Sequence, residues 1–172
     1  GRLGFGGPKV ILWNSISGTI KLKSSPNDDF YQMWAVGELD AWELETLSVW
    51  RSLCIGAEVV VDVGAYVGAY GLVAAMEGGA KQVWSFEPNP EAQRVSEENF
   101  ALNQVSVDIF PVALGSSNGR ARLYTPRERT LSSSSNLASF SNVGDWVSDQ
   151  SVEIRTLDSF LEAGMNKRIK AI

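Results

Sequence analysis

The stretch VVVDVGAYVGAYGLVAA, residues 59–75, decides the fold class of this 172-residue chain. Its valines form a nearly unbroken β-branched run around Asp62, which is typical of a parallel strand buried on both faces. Gly64 and Gly68 follow, and the Ala-rich residues after them predict a helix that stops at Gly78. This order places the glycine turn at the carboxyl end of the strand, where open α/β sheets bind their ligands.

Strands and helices alternate outward from this stretch, at the spacing of about thirty residues that a βαβ unit requires. The predicted elements are a hairpin of Val10–Trp13 and Thr19–Lys23, a helix over Asp40–Leu53, strands over Val59–Val63 and Gln82–Phe86 separated by a helix over Ala69–Glu77, a helix over Asn89–Asn103, a strand over Val105–Phe110, an antiparallel pair of Arg120–Thr125 and Ser151–Thr156, a short helix over Leu157–Gly164 and a strand over Arg168–Ile172. We therefore predict one α/β unit over 1–172, in which 56–172 form a mostly parallel sheet with its helices and 1–55 add the hairpin and first helix. The apolar residues of that first helix are expected in the core: Trp42, Leu44, Leu47, Trp50 and Leu53.

Composition restricts the chemistry that the chain can perform. Apolar residues make up 44% and charged residues 20% of the chain, which is ordinary for a soluble globular domain. There is no histidine and only one cysteine, Cys54, so a zinc site, a Ser/His/Asp triad and an internal disulfide are excluded by inventory. The net charge of -5 argues against a nucleic-acid partner. No apolar run reaches the length of a membrane span and no secretory signal is present, so a cytoplasmic protein is expected.

Two carboxylates near the glycine turn indicate which ligand it binds. Asp62 precedes Gly64 by two residues, where its charge suits an amine-bearing ligand and opposes a pyrophosphate. Glu87 ends the second predicted strand of the sheet, where an acidic side chain can accept both hydroxyls of a ribose. The helix that follows the turn offers unpaired N–H groups to a carboxylate or phosphate. S-adenosylmethionine carries a ribose, an amine and a carboxylate together.

Further segments stand in a fixed order after the first one. They read VWSFEPNPEAQRVSEENFALN at 83–103, VALGSSNGRARLY at 112–124 and VEIRTLDSFLEAG at 152–164. In this order and spacing the chain resembles the FkbM family of methyltransferases from about Glu58 to Ile172. The resemblance implies a Rossmann-like methyltransferase fold, S-adenosylmethionine as methyl donor, and O-methylation of a hydroxyl on a sugar or secondary metabolite.

The resemblance also implies a set of donor-binding residues. Asp62, Gly64, Ala65 and Gly68 match the family's donor-binding turn, Glu87 its ribose acid, Pro88 and Asn89 the adjoining loop, and Val112 and Ala113, within 111–114, the wall against the adenine. The family commonly has asparagine where this chain has Tyr66, so Tyr66 is expected to contact the donor through its backbone. No metal site is expected.

In the family a segment like 170–172 continues into a strand that carries DVEG and into further strands. We therefore expect an incomplete sheet, truncated after its cofactor-binding part, in which the first strand has an unpaired edge. An unpaired apolar edge favours pairing with another chain. Self-association along that edge is the expected consequence.

The sequence leaves the catalytic base and two alternative functions open. Glu43, Asp145 and Asp149 are carboxylates without an assigned partner, and Glu43, next to Trp42, is a candidate for the methionine end of the donor. An NAD-dependent oxidoreductase would share the turn and the ribose acid, but its second glycine position is here Tyr66. A chain that binds the donor without transferring methyl is the other alternative, and both the sugar and the small-molecule acceptor classes stay open.

Overall fold

The computed structural model describes residues 9–24, 28–126, 146–162 and 168–172. Its strands are β1 (Lys9–Asn14), β2 (Thr19–Ser24), β3 (Val59–Val63), β4 (Gln82–Phe86), β5 (Asp108–Phe110), β6 (Ala113–Leu114), β7 (Gly119–Pro126), β8 (Trp146–Arg155) and β9 (Ile169–Ala171). Its helices are α1 (Asp29–Val36), α2 (Leu44–Cys54), α3 (Ala69–Leu72, continued as a π-helix over Val73–Glu77), α4 (Pro90–Leu102) and α5 (Leu157–Glu162), with a 3-10 turn over Leu39–Ala41.

A parallel sheet in the order β5-β4-β3-β9 lies at the centre of the fold. Side chains along β3 alternate between its two faces, as the pleat of a strand requires. Val60 packs into a cluster with the hairpin and helices, whereas Val59 and Val61 pack with Trp84 and Phe86 on the opposite face. The predicted α/β fold with a parallel sheet and an N-terminal hairpin is therefore confirmed.

The β1–β2 hairpin packs onto the sheet layer through α4. Asn99 of α4 is fully buried, and its amide oxygen accepts a hydrogen bond from the backbone N–H of Lys23 at 2.6 Å. The same amide donates to the backbone oxygen of Val67 at 2.9 Å. One side chain thus joins the hairpin, α4 and the turn that follows β3.

The chain between the hairpin and β3 differs from the predicted single helix. Helix α1 was not predicted; it begins after Asp28, whose side chain accepts from the N–H of Tyr31 at 2.8 Å. The predicted Asp40–Leu53 helix starts only at Leu44, because Glu43 adopts a left-handed backbone with φ of 46°. Leu47 and Trp50 are buried as predicted, but Leu44 and Leu53 are 41% and 45% exposed, so the expected core stripe was wrong for these two residues.

The expected unpaired edge of the first strand was also wrong in part. Strand β9 lies beside β3 in parallel register, pairing Val59 with Ile169 and Val60 with Ala171. The register is too short to cover the rest of the strand, and Val63 is 49% exposed. The predicted antiparallel pair is confirmed as β7 and β8, which form a second sheet with β6.

Candidate donor-binding site

The turn between β3 and α3 has two glycines with different surroundings. Gly64 and Gly68 have φ of 76° and 84°, in the left-handed region that glycine tolerates best. A Cβ on Gly64 would meet nothing within 4 Å, whereas one on Gly68 would lie 2.6 Å from the Phe100 ring. The N–H groups of Gly64 and Ala65 both donate to the backbone oxygen of Phe86, at 2.9 and 3.1 Å. The turn is thus tied to β4 and packed at Gly68, and it faces open space at Gly64.

Asp62 lies just before this turn and is only 8% exposed. One of its carboxylate oxygens accepts from the N–H of Gly71 at 3.1 Å, and within the described ranges the other oxygen has no hydrogen-bond partner. Burial raises the pKa of Asp62 to about 7; the Gly71 N–H acts in the opposite direction, and the nearby charge of Glu87 adds to the rise. The site therefore contains a carboxyl that titrates near neutral pH.

Glu87 follows β4 and is 6% exposed. Its two carboxylate oxygens accept from the N–H of Tyr66 and the N–H of Asn89, each at 2.8 Å. Burial raises the pKa of Glu87, and these two N–H groups lower it. Glu87 thus fastens the glycine turn to the loop before α4.

Two concave regions meet at Asp62. The aromatic hollow, of about 230 Å³, is lined among others by Phe30, Trp42, Glu43, Asp62, Tyr66 and Tyr70. The apolar groove, of about 570 Å³, is lined among others by Val49, Trp50, Leu53, Val61, Val63 and Ile172. Asp62, Gly64 and Tyr70 belong to both, so the carboxyl end of β3 lies between them.

The structure brings some of the predicted site residues together. Asp62, Gly64, Ala65 and Tyr66 line the aromatic hollow, and Gly68 ends the same turn. Glu87 lines neither concave region and touches this group through the Tyr66 N–H.

The remaining residues predicted to bind the donor, Pro88, Asn89, Val112 and Ala113, line neither concave region. Asn89 caps α4, because its side-chain oxygen accepts from the N–H of Glu91 at 3.0 Å. Val112 packs with the β3 and β4 side chains, and Ala113 belongs to β6; both are buried, and neither lines the hollow or the groove. Pro88 lies between Glu87 and Asn89, half-buried.

The N-terminal part supplies Phe30 and Trp42, which the sequence did not assign to the site, and Glu43, which it named as a candidate for the methionine end of the donor. Phe30 of α1 and Trp42 stand edge to face at 4.8 Å, and Trp42 contacts Tyr70 at 6.0 Å. The Tyr70 hydroxyl donates to the carboxylate of Glu43. Burial, followed by Glu43, raises the pKa of Tyr70 well above its usual value, so its hydroxyl stays protonated. In the sequence, the only signal for this part of the site was the acidic Glu43 next to the aromatic Trp42. No local pattern indicated that Phe30 would belong to it.

Within the described ranges, the structure offers neither a metal-binding cluster nor a helix suited to a membrane. No group of three or more acidic or cysteine side chains there could hold a metal ion. No helix in these ranges is both long and apolar enough to cross a membrane. Asp145 and the side chain of Asp149 lie outside the residues described.

A family model of a methyltransferase matches residues 62–172. The model is the methyltransferase FkbM domain, and because it matches more than half of the chain, this chain belongs to the FkbM methyltransferase family. This match confirms the predicted family. It also confirms, as properties of that family, methyl transfer as the activity and S-adenosylmethionine as the methyl donor. Comparison with curated proteins finds no significant match.

Solved structures resemble the chain over part of its length. A Pyrococcus abyssi tRNA (uracil-54, C5)-methyltransferase in complex with S-adenosyl-L-homocysteine aligns with a TM-score of 0.45 and 19% identity, over 59% of this chain and 23% of that one. The Pyrococcus horikoshii protein TYW2 in complex with MeSAdo aligns with a TM-score of 0.43 and 22% identity, over 63% of this chain and 38% of that one. The chain thus spans less than half of either structure, and at these TM-scores the likeness carries no argument about function.

Proposed function

We propose that this chain binds S-adenosylmethionine at the carboxyl ends of β3 and β4 and serves methyl transfer to a hydroxyl of a sugar or secondary metabolite. Asp62 carries the proposal. It is a nearly buried carboxylate beside an open glycine turn, with one oxygen that no described residue satisfies. A buried charge requires a partner, and a cationic amine is the partner that this carboxylate suits.

The residues of the turn suit the donor's shape. Because nothing lies within 4 Å of the Cβ position of Gly64, a ligand can approach the backbone there. Glu87 uses one lone pair of each oxygen on the Tyr66 and Asn89 N–H groups, and a carboxylate retains further acceptor sites for ribose hydroxyls. We assign the amine to Asp62, the ribose to Glu87, the turn contacts to Gly64, Ala65, Tyr66 and Gly68, and the adenine surroundings to Pro88, Asn89, Val112 and Ala113.

The proposed mechanism depends on how the chain positions the methyl donor relative to the acceptor. When bound, the donor would supply a methyl group on a sulfonium whose sulfur leaves as a neutral thioether, so no covalent enzyme intermediate is required. The chain's own contribution is to hold the donor in one orientation toward the acceptor oxygen, and such orientation is worth roughly 7–11 kcal/mol in general. No described residue is assigned as the base.

The proposal includes an uncharged hydroxyl compound as the methyl acceptor and the cytoplasm as the compartment of the protein. The net charge of -5 and the carboxylates of the hollow favour an uncharged hydroxyl compound over a nucleic acid. A chain whose single cysteine, Cys54, is buried and forms no disulfide suits a reducing cytoplasm. Burial, aided by the charge of Asp62, raises the pKa of Cys54 to about 12, so its thiol stays protonated.

Calorimetric titration with S-adenosylhomocysteine and with NAD tests the proposal. We expect saturable binding of S-adenosylhomocysteine and none of NAD, because a pyrophosphate would lie beside Asp62. Binding of NAD alone would replace the proposal with the oxidoreductase. Turnover with labelled S-adenosylmethionine and a set of sugars then separates an enzyme from a protein that binds the donor without transfer.

A further inference from the structure

The aromatic hollow differs from an ordinary ligand pocket in size and in charge. Its volume of about 230 Å³ is below the roughly 300–1,000 Å³ of pockets that enclose a whole small molecule, so it fits one end of a ligand. Among the described residues that line it are three carboxylates, of Asp29, Glu43 and Asp62, and no lysine or arginine. The hollow therefore favours a positively charged end.

The rings of the hollow strengthen this preference. Phe30, Trp42, Tyr66 and Tyr70 all line it, and the Phe30 ring lies 6.1 Å from that of Tyr66. The face of an aromatic ring attracts ammonium and similar cations electrostatically, and most strongly where water is excluded. Carboxylates beside aromatic faces suit a cation that also carries apolar carbon.

Glu43 stands at the rim of the hollow in an unusual backbone conformation. Its φ of 46° and ψ of 31° are left-handed, and it precedes α2 without a side-chain capping hydrogen bond. Strain of this kind persists only where the surroundings enforce it, and it often occurs at binding sites. Here the conformation accompanies a contact with Tyr70, whose hydroxyl donates to the Glu43 carboxylate. Tyr70 is thus a positioning residue for Glu43.

Asp62 supplies an independent indication of a ligand. It is more than nine-tenths buried, lines the same hollow, and retains an oxygen without a hydrogen-bond partner in the described ranges. This oxygen is not among the fully buried, unpartnered side-chain atoms of the described residues, so a hydrogen-bond donor on a bound ligand can reach it. Asp62 and Glu43 thus offer acceptors to the same ligand end.

We propose that the aromatic hollow is a cation subsite for the methionine end of the donor, in which Glu43 and Asp62 accept hydrogen bonds from the ammonium group and the rings face the sulfonium. The inference rests on the proposed function and adds a specificity residue, Glu43, from outside the βα unit. It also orders the affinities for three ligands. S-adenosylmethionine, with two cationic groups, binds most tightly, S-adenosylhomocysteine with one binds less tightly, and methylthioadenosine with neither binds least tightly.

Calorimetry with these three ligands on wild type, Glu43→Gln and Tyr70→Phe tests the subsite. Losing a charge-assisted hydrogen bond should weaken the two amine-bearing ligands about tenfold or more in Glu43→Gln. Methylthioadenosine should be unaffected. Tyr70→Phe keeps the ring and should give a smaller loss for the same two ligands. Glu45→Gln, at an exposed position of the first turn of α2, is the matched control and should change no affinity.

The outcomes separate the subsite from the proposed function. If wild type binds none of the three ligands, the proposed function fails. If wild type binds them but Glu43→Gln keeps its affinity for both amine-bearing ligands within twofold, the subsite is overturned and donor binding stands. An equal loss for methylthioadenosine also overturns it, because Glu43 would then support the fold rather than the ammonium. Thermal unfolding of each variant shows that the comparison is made on folded protein.

Discussion

Asp62 links the stability of the molecule to pH. Its pKa is raised from 3.8 to about 7 in the folded protein, so between these values the folded state holds a proton that the unfolded state has released. The free energy of unfolding therefore falls as the pH rises through this window and levels off above it, at a rate of up to about 1.4 kcal/mol per pH unit.

Asp62→Asn should abolish this contribution and unfold at a higher temperature than wild type at pH 8, with a smaller difference at pH 4.5. Thermal unfolding followed at both values gives the comparison, and Asp108→Asn at an exposed position of β5 is the control. Identical pH profiles for wild type and Asp62→Asn would contradict the raised pKa.

Glu87 has two roles that different substitutions separate. Glu87→Ala leaves the N–H groups of Tyr66 and Asn89 without partners, at about 1–3 kcal/mol for each donor that stays buried. Glu87→Gln keeps the size and one acceptor oxygen, so it should fold with a smaller loss. Donor affinity should fall by about one to two orders of magnitude in both, because hydrogen bonds to a charged group are lost. Calorimetry that finds full affinity in Glu87→Gln would remove Glu87 from the ribose role.

The two glycines of the turn between β3 and α3 allow a matched pair of substitutions, one that tests packing and one that tests donor binding. Gly64→Ala and Gly68→Ala both place alanine at positive φ, which destabilises by about 1–2 kcal/mol. Gly68→Ala adds a clash with Phe100 of α4 and should lose at least about 1–3 kcal/mol more in urea unfolding. Gly64→Ala should instead lose donor affinity, because its new methyl group fills the space left for the ligand. The reverse ranking of stabilities would contradict this account of the turn.

Helix α4 holds the hairpin through two asparagines that differ in burial. Asn99 bonds to Lys23 and Val67 and is fully buried, whereas Asn103 bonds to both backbone groups of Lys21, at 3.0 and 2.7 Å, near the surface. Asn99→Ala should lower the free energy of unfolding by about 2–4 kcal/mol, because the bond to the Val67 oxygen is buried and the bond from the Lys23 N–H is part-buried, and both backbone groups lose their partner. Asn103→Ala should cost less than half of that, since water replaces its bonds. Equal losses in chemical denaturation would show that burial does not decide the difference.

The whole molecule carries an apolar surface around the apolar groove. Val49, Leu53, Val63 and Ile172 are 61%, 45%, 49% and 69% exposed, and β9 pairs with only two residues of β3. We predict concentration-dependent self-association through this surface, since contiguous exposed apolar patches mark interaction sites. Sedimentation velocity should show that Leu53→Lys favours the monomer without changing donor affinity. A wild-type monomer at every concentration up to about 0.5 mM would contradict the prediction.

Local patterns predicted most of the central elements. The bounds of β3 and β4 match the structure because β-branched and apolar runs mark buried strands. Helix α4 begins after Asn89 as predicted, since an asparagine cap followed by proline is a local signal. Helix α1 was not predicted because the sequence that leads into it, SPND at 25–28, is typical of a loop. The break at Glu43 has no local signal either, because non-glycine residues rarely adopt positive φ.

By itself the sequence determined the βα unit around Asp62 and Gly64 and the acid at Glu87, because residue type and short spacing carry that information. Tertiary structure alone decided that Glu43 meets Tyr70, 27 residues away, and that Phe30 closes the same hollow. It also decided that β9 lies beside β3. Contacts between distant segments depend on how whole elements pack, and no local pattern of side chains records that packing.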